Sequence, residues 1–253
     1  MKNLLLTLLV AFSFGASAKN IELSKKNTVI LNEAFSLQSI AKLQSELYSL
    51  SKSLKEDEEI TLVLDTPGGS VFAGLVLFDT VKSIPQKVNT LTLFAASMGY
   101  QTVQNLGDRY ILPSGILMSH RAYLGGLKGQ LNGELEERLQ FYKDMTGELD
   151  RNSAARIGIT YDEYKKLIIN EYWAGATKAL AENHVDEIVT ANCDETLSGT
   201  HVKDVRTFFG SFSVEFSNCP LIRGPLRVIR GSRKAFSKYQ SEYFSSRNLT
   251  NVQ

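Results

Sequence analysis

One serine and one histidine are of the residue types that nucleophilic catalysis needs, and their sequence neighbours are compatible with that role. Ser97 lies in the segment AASMG (95–99), where small neighbours leave room around its hydroxyl group. His120 ends the apolar stretch ILMSH, just before a glycine-rich loop. A serine hydroxyl becomes a nucleophile at neutral pH only beside a base such as imidazole. Together the two residues predict acyl transfer, although alone they would indicate an N-cap and a strand-end histidine.

A second turn, DTPGGS (65–70), joins an apolar run to the next helical segment. Its paired glycines permit positive φ, so that backbone N–H groups can point into a cleft at a helix N-terminus. By itself the turn would indicate only a tight connection. The other histidines adjoin no comparable turn: His184 is expected to be a surface cap, and His201 lies in a weakly patterned region.

The elements that must position these residues alternate along the chain. Near-continuous apolar runs predict strands buried on both faces of a parallel sheet, and apolar residues at helical spacing predict the helices between them. This order is typical of an α/β domain. The predicted strands are 28–32, 60–65, 88–95, 109–113, 116–120 and 185–189, and the predicted helices are 36–54, 71–84, 98–106, 130–154, 161–170 and 175–183.

Three motifs, in this order along the chain, carry a family resemblance. They are PGGSV, then ASMG, then the pattern MxH, which is followed by GG and by GQ. From about Ile60 to Ile188 the sequence resembles the Clp protease proteolytic subunit, a serine peptidase of the Clp/crotonase superfamily. The resemblance implies an α/β fold of repeated β-β-α units with a protruding handle helix at 130–154. It also implies a homo-oligomeric ring, which the handle helices build.

The same resemblance assigns roles to residues. Ser97 would be the nucleophile and His120 the general base, with the backbone N–H groups of Gly69 and Met98 as the oxyanion hole. The third triad member departs from the family, which has an aspartate. Counting back from VDEI leads to Glu171, for which a solvated carboxylate is the open alternative, with Asp162 and Glu163 as fallbacks. Neither a metal nor a cofactor is implied.

The first eighteen residues predict a cleavable signal peptide. Lys2, an apolar run and then Ala16-Ser17-Ala18 form its three parts, so a mature chain is expected from Lys19, in the periplasm or secreted. We therefore divide the chain into the signal peptide (1–18), a Clp protease-like domain (19–195) and a C-terminal extension (196–253). In an oxidising compartment Cys193 and Cys219 can form a disulfide, and two buried free thiols are the alternative.

Charge gives little indication of a partner. Lys plus Arg is 28 against 27 for Asp plus Glu, so the sequence gives no reason to expect nucleic acid. The segment 220–253 is basic, with seven Lys or Arg residues against one Glu. It is expected to be a solvated extension, and weak contact with an anionic membrane surface is the alternative. Its basic residues are Arg223, Arg227, Arg230, Arg233, Lys234, Lys238 and Arg247.

These observations predict an ATP-independent serine endopeptidase that acts on peptides or unfolded proteins. An ATP-driven unfoldase is not expected as a partner, because ATP is not expected outside the inner membrane. Three alternatives stay open. They are a crotonase-like acyl-CoA enzyme, a signal-peptide-peptidase relative with a lysine base, and a ring-forming scaffold with a decayed site.

Overall fold

The computed structural model describes residues 19–125, 130, 133–207 and 210–245, so the predicted signal peptide and Arg247 lie outside the described residues. The strands are β1 (Asn20–Leu23), β2 (Thr28–Leu31), β3 (Ile60–Thr66), β4 (Val88–Ala96), β5 (Arg109–Ser119), β6 (Tyr172–Gly175), β7 (Glu187–Ile188), β8 (Thr190–Cys193), β9 (Thr200–Thr207), β10 (Gly210–Ser217) and β11 (Arg227–Gly231). The helices are α1 (Leu37–Ser53), α2 (Val71–Ser83), α3 (Met98–Asn105), α4 (Glu134–Ile157), α5 (Tyr161–Leu167), α6 (Ala176–Ala181) and α7 (Arg233–Ser245). Among these helices, none is long and apolar enough to cross a membrane.

A six-stranded sheet in the order β2-β3-β4-β5-β6, with β7 beside β5, forms the centre of the fold. Strands β2 to β5 are parallel, and β6 runs antiparallel to the end of β5. Every residue of β3 and β4 is buried, as their apolar runs predict. Leu62 and Leu64 face the helical layer, whereas Val63 faces the opposite layer, because side chains alternate along a strand. The predicted α/β class is confirmed.

Strand β5 differs from the prediction of two short strands, because it is continuous from 109 to 119. Its pairing with β4 shifts between Thr92↔Ile111 and Phe94↔Ile116, so the extra residues of β5 form a bulge. Pro113 lies in this bulge, where its missing N–H breaks no ladder hydrogen bond. The proline therefore lies at a bulge within one strand. Beyond the bulge β5 continues to Ser119, and His120 follows it directly.

The C-terminal segment is folded where the structure describes it, and most residues of 220–245 are exposed, so the predicted solvated extension has regular secondary structure of its own. Strands β9, β10 and β11 form a three-stranded antiparallel sheet, and Phe212 and Val214 pack against α7. Arg223 makes an ion pair of 2.7 Å with the buried Asp65, and Arg227 pairs with Glu215. In β10 the apolar Phe212, Val214 and Phe216 alternate with polar residues, which is the period-2 pattern of a strand with one buried face.

The second face of the central sheet is covered by β1 and by the segment 189–197, which contains β8. Strands β1 and β8 pair in parallel, and Leu23 and Leu197 pack with Val63 in one apolar cluster. A disulfide joins Cys193 to Cys219, with their Cα atoms 5.9 Å apart. The disulfide therefore ties the end of β8 to the chain that follows β10.

Removing this disulfide is expected to destabilise the protein. The crosslink spans a sequence separation of 26 residues. Closing a loop of that length contributes ~3 kcal/mol in the chain-entropy model, so replacing both cysteines with alanine should lower the free energy of unfolding by about that amount. Urea denaturation measures the change. Intact mass after alkylation without reductant provides the control, and two alkylatable thiols in the native protein would contradict the pairing.

Candidate active site

Ser97 lies in a strained turn between β4 and α3. Its φ is 55°, a left-handed conformation that non-glycine residues adopt at a cost, and its N–H donates to the carbonyl of Met118 at 2.8 Å. The hydroxyl makes no capping hydrogen bond to α3, so the alternative of a simple N-cap is wrong. A sharp strand-to-helix turn of this kind presents a serine hydroxyl to a cleft instead of to its own helix.

His120 directly follows β5, the neighbour of β4 in the sheet. The register pairs Ala96 with Met118, so the two parallel strands bring the residues after them to the same edge. A hydrogen bond of 2.7 Å joins Ser97 Oγ and His120 Nε2. This distance lies within the range that a general base needs to accept a hydroxyl proton. The structure thus brings together the two residues that the sequence singled out.

The PGG turn packs directly on the Ser97 turn. Gly68 has a φ of +88°, and a Cβ atom there would lie 2.5 Å from the carbonyl oxygen of Ala96 and 2.6 Å from Ser97 Cβ. Only a glycine therefore allows the two turns to approach this closely. Phe35 fixes the other side of the turn, since its N–H donates to Gly68 O at 2.8 Å and its carbonyl accepts from Ser70 N at 2.9 Å.

The two predicted oxyanion donors line the same cavity as Ser97 and His120, which has a volume of about 730 Å³. Met98 is the first residue of α3, where a backbone N–H has no partner within the helix. The bridge to Phe35 uses Gly68 O and Ser70 N, so it leaves the Gly69 N–H unused. Both N–H groups can therefore serve an oxygen that develops negative charge beside Ser97.

Glu171 lies beside His120 in the backbone but is bonded elsewhere. The β5–β6 ladder ends at Ser119↔Tyr172, so His120 and Glu171 are the next residues on the two strands. The Glu171 carboxylate is exposed and accepts a hydrogen bond of 2.9 Å from Trp173 Nε1. Across the part of the chain that the structure describes, no hydrogen bond or ion pair joins it to His120. The third triad position thus stays a prediction.

The fallback carboxylates are also bonded elsewhere. Asp162 forms an ion pair of 2.7 Å with Lys165 on α5. Glu163 accepts hydrogen bonds from the backbone N–H and the hydroxyl of Thr160, which close the N-terminus of that helix. These bonds lower the pKa of both carboxyl groups, as expected for helix-capping residues. Neither carboxylate bonds to His120.

His184 is buried, so the expectation of a surface cap is wrong. Its ring stacks on Tyr172 with a centroid distance of 4.3 Å, and its Nδ1 hydrogen-bonds the hydroxyl of Tyr100 at 2.7 Å. Burial lowers the pKa of this imidazole to about 4, which keeps it neutral at physiological pH. It therefore packs the core behind α3 and does not compete with His120 as a base.

A polar network beside the cavity was not anticipated from the sequence. Gln101, one turn after Ser97 on α3, donates through Nε2 to Asp150 Oδ1 at 3.2 Å, and its Oε1 accepts from Ser153 Oγ at 2.6 Å. Tyr164 OH lies 3.3 Å from Gln101 Nε2 and 2.9 Å from Ser119 Oγ. The sequence does show that Gln101 lies one helical turn after Ser97, which indicates that its side chain is near the cavity. Its partners on α4 and α5 could not be found without the fold.

A comparison with protein families places this geometry in context. The model of the Clp protease family matches residues 16–192, more than half of the chain. The chain belongs to the Clp protease family. The family and fold predicted from the motifs are confirmed. Proteolytic subunits of this family are serine-type endopeptidases, so the predicted enzyme class is confirmed at the level of the family.

Two relatives show how far the similarity extends. The chain is 33% identical over 141 residues to the ATP-dependent Clp protease proteolytic subunit 3 of Streptomyces coelicolor, an alignment that covers 54% of this chain and 63% of that protein. It is 31% identical over 179 residues to the ATP-dependent Clp protease proteolytic subunit 2 of Thermobifida fusca, covering 69% and 86% respectively. The chain thus spans less than two thirds of the first relative and most of the second.

Proposed function

We propose that this chain is an ATP-independent serine endopeptidase that hydrolyses peptides or unfolded proteins. The hydrogen bond of 2.7 Å between Ser97 Oγ and His120 Nε2, in a cavity that Gly69 and Met98 also line, carries the proposal. The family match favours it over the crotonase-like alternative, and the hydrogen bond between Ser97 and His120 favours it over the scaffold alternative. An extended chain is the natural substrate, because a scissile carbonyl must reach a serine that lies inside the cavity.

The mechanism follows from this arrangement. His120 Nε2 accepts the Ser97 hydroxyl proton while Oγ attacks the peptide carbonyl carbon, and the oxygen becomes an oxyanion between the N–H groups of Gly69 and Met98. Loss of one such donor typically costs about 10²–10³ in kcat. The imidazolium then protonates the departing amine, leaving an acyl-enzyme. Water, deprotonated by the same imidazole, hydrolyses the ester and restores Ser97.

We place the enzyme in the periplasm or outside the cell, without an ATP-driven unfoldase. Residues 1–18 support export by their signal-peptide pattern. The Cys193–Cys219 disulfide also supports it, because disulfides persist in oxidising compartments and are rare in the cytosol. This proposal departs from the two relatives, whose names describe them as ATP-dependent.

We further propose that the chain assembles into a homo-oligomeric ring. The first half of α4 supports this, because its exposed side chains include Leu139, Phe141 and Tyr142. Phe141 is 60% exposed, and a cluster of large apolar side chains on one helix indicates a contact surface. The second half of the same helix is packed against α3 and α5, so the exposed half is held rigidly away from the domain core.

Acylation of the serine tests the proposed activity. A fluorophosphonate reacts with a serine that a neighbouring base activates, and peptide mapping then shows which serine carries the label. We expect a single label on Ser97, absent from the His120→Ala variant. Absence of any label from the folded protein would contradict the peptidase proposal and favour the scaffold alternative.

Glu171→Gln is expected to lower kcat/KM while leaving fluorophosphonate labelling detectable, because Glu171 would act only by orienting His120. Loss of a fully bonded triad acid costs about 10⁴ in kcat. The Glu171 carboxylate is instead bonded to Trp173, so we expect a smaller decrease, about ten-fold. Trp173→Phe is the control, since it frees the carboxylate for His120 without removing it. If Glu171→Gln has wild-type kinetics, the third triad member lies elsewhere.

We also propose a weak contact between the basic C-terminal segment and anionic membranes. Arg223 and Arg227 form ion pairs, whereas Arg230, Arg233 and Lys234 are exposed and close together in the sequence. Reversing these three charges to glutamate is expected to abolish sedimentation with anionic liposomes at low salt, because each cation contributes about 1 kcal/mol near such a surface.

A matched variant controls for net charge. It reverses three exposed lysines on the helical side of the sheet, Lys52, Lys55 and Lys82, and should sediment as the wild type does. Equal loss in both variants, or none in either, would show that the C-terminal cations make no specific contact.

A further inference from the structure

Gln101 and Asp150 line the cavity that holds Ser97. Gln101 N donates to Ser97 O at 3.1 Å, which places Gln101 one helical turn further along α3, a rise of about 6 Å. Asp150 on α4 lies one hydrogen bond beyond it, through Gln101 Nε2. A side chain that enters the cavity beside Ser97 and extends along α3 would therefore end at the Asp150 carboxylate.

The Asp150 carboxylate keeps unused hydrogen-bonding capacity. A carboxylate offers about four acceptor positions, and one of them receives Gln101 Nε2. Burial raises the pKa of Asp150 to about 6, and the charges of Arg121 and Arg151 offset this only in part. Within the described residues, no Lys or Arg makes an ion pair with Asp150, although Lys143 also lines the cavity. The group is thus a half-buried anion without a neutralising partner at ion-pair distance.

The carboxylate is also held in a defined position. Ser153 donates to Gln101 Oε1 at 2.6 Å, so the amide nitrogen must face Asp150 and Tyr164. Tyr164 is in turn held by Ser119, the residue before His120. Because α3, α4, α5 and β5 all contribute to this network, Asp150 is preorganised with respect to the catalytic pair, unlike a carboxylate on a free surface.

Apolar side chains line the cavity that contains Ser97 and Asp150. They include Met98, Met118, Met145 and Leu149, and the polar Thr146 lines it as well. A cavity that is lined by apolar side chains and by one carboxylate matches a side chain with an aliphatic stem and a cationic head. Lysine and arginine have this form, whereas an acidic side chain would be repelled and a short apolar one would leave the carboxylate desolvated and unpaired.

We propose that Asp150 determines specificity by binding the Lys or Arg side chain of the substrate residue whose carbonyl group Ser97 attacks. The inference rests on the proposed peptidase function, because it takes the Ser97 cavity as the substrate site. The side chain of the attacked residue is the one nearest to Ser97. We therefore expect that side chain to lie in the cavity that Ser97 and Asp150 both line.

Paired peptides test the proposal. Two fluorogenic peptides differ only in lysine or norleucine before the scissile bond, so they share the stem and differ in the charge. We expect the wild type to favour lysine by at least about ten-fold in kcat/KM, and Asp150→Asn to lose that preference while still cleaving the norleucine peptide. Glu148→Gln, which removes an exposed charge of the same helix outside the cavity, should keep the preference. An unchanged ratio in Asp150→Asn would overturn the proposal.

Two further measurements keep the test independent of folding and of turnover. In the wild type, the lysine-to-norleucine ratio should fall as the pH is lowered through about 6, where Asp150 becomes neutral. The ratio cancels any effect of pH that the two peptides share. Calorimetry with Ser97→Ala should show tighter binding of the lysine peptide, lost in Ser97→Ala/Asp150→Asn. If no peptide is cleaved but the lysine peptide still binds more tightly than the norleucine peptide, the peptidase function is contradicted and the binding site is supported. Equal affinities would overturn the site itself.

Discussion

Ser97→Ala is expected to lower kcat/KM for peptide hydrolysis by about 10⁴-fold or more, because it removes the only atom that can form the acyl-enzyme. His120→Ala should have an effect of the same size, since the hydroxyl is a weak nucleophile without the imidazole 2.7 Å away. The double variant should be no worse than either single variant, because the two residues act as one unit. Initial rates on a fluorogenic peptide measure all three.

Folding must be unchanged for this comparison to hold. Alanine keeps the backbone atoms of Ser97, including the N–H that donates to Met118, so thermal unfolding should be close to that of the wild type. Retention of more than about a tenth of the activity by a folded Ser97→Ala protein would contradict the assignment of the nucleophile, given that losses of this kind are several orders of magnitude.

Gly68→Ala is expected to reduce kcat/KM by at least about 10²-fold, which is what a displacement of about 1 Å at a reacting atom costs. The new Cβ would lie 2.5 Å from Ala96 O and 2.6 Å from Ser97 Cβ, and neither the backbone nor the strained serine can give way without moving the nucleophile. The φ of +88° adds a cost of about 1–2 kcal/mol for a residue with a Cβ.

Gly175→Ala is the matched control for this variant. Gly175 has a φ of −78°, and a Cβ there would meet no atom within 4 Å, so the substitution should leave activity unchanged. Comparing the rates of fluorophosphonate labelling separates loss of the nucleophile's position from weaker peptide binding. Wild-type labelling and kinetics in Gly68→Ala would show that the two turns do not depend on their close contact.

Local patterns predicted the elements that carry the catalytic pair. The apolar runs ending at Asp65 and Ala95 and the helical spacing that follows each of them correspond to β3-α2 and β4-α3 within one or two residues. These patterns are reliable because buried parallel strands and amphipathic helices must place apolar residues at periods set by their own backbone geometry. The PGGS and AASMG turns could be placed for the same reason, since each lies where a buried strand pattern ends and a helical pattern begins.

Other features depended on contacts between segments far apart in sequence. His184 is buried because Tyr100 and Tyr172 enclose it, and neither is near it in the chain. The C-terminal segment was not predicted to contain a sheet, although Phe212, Val214 and Phe216 of β10 alternate with polar residues. It is held by the Arg223–Asp65 ion pair and by the disulfide, whose partners are brought together by folding.

The sequence by itself therefore determined the family, the α/β class and the candidate pair Ser97 and His120, because each is encoded in a short run of residues. The tertiary structure decided the hydrogen bond between that pair, the bonding of Glu171 to Trp173 and the presence of Asp150 in the lining of the same cavity. These features depend on distances of a few ångströms between side chains from separate elements. Such distances are set by how the helices pack on the sheet, which residue types along the chain do not specify.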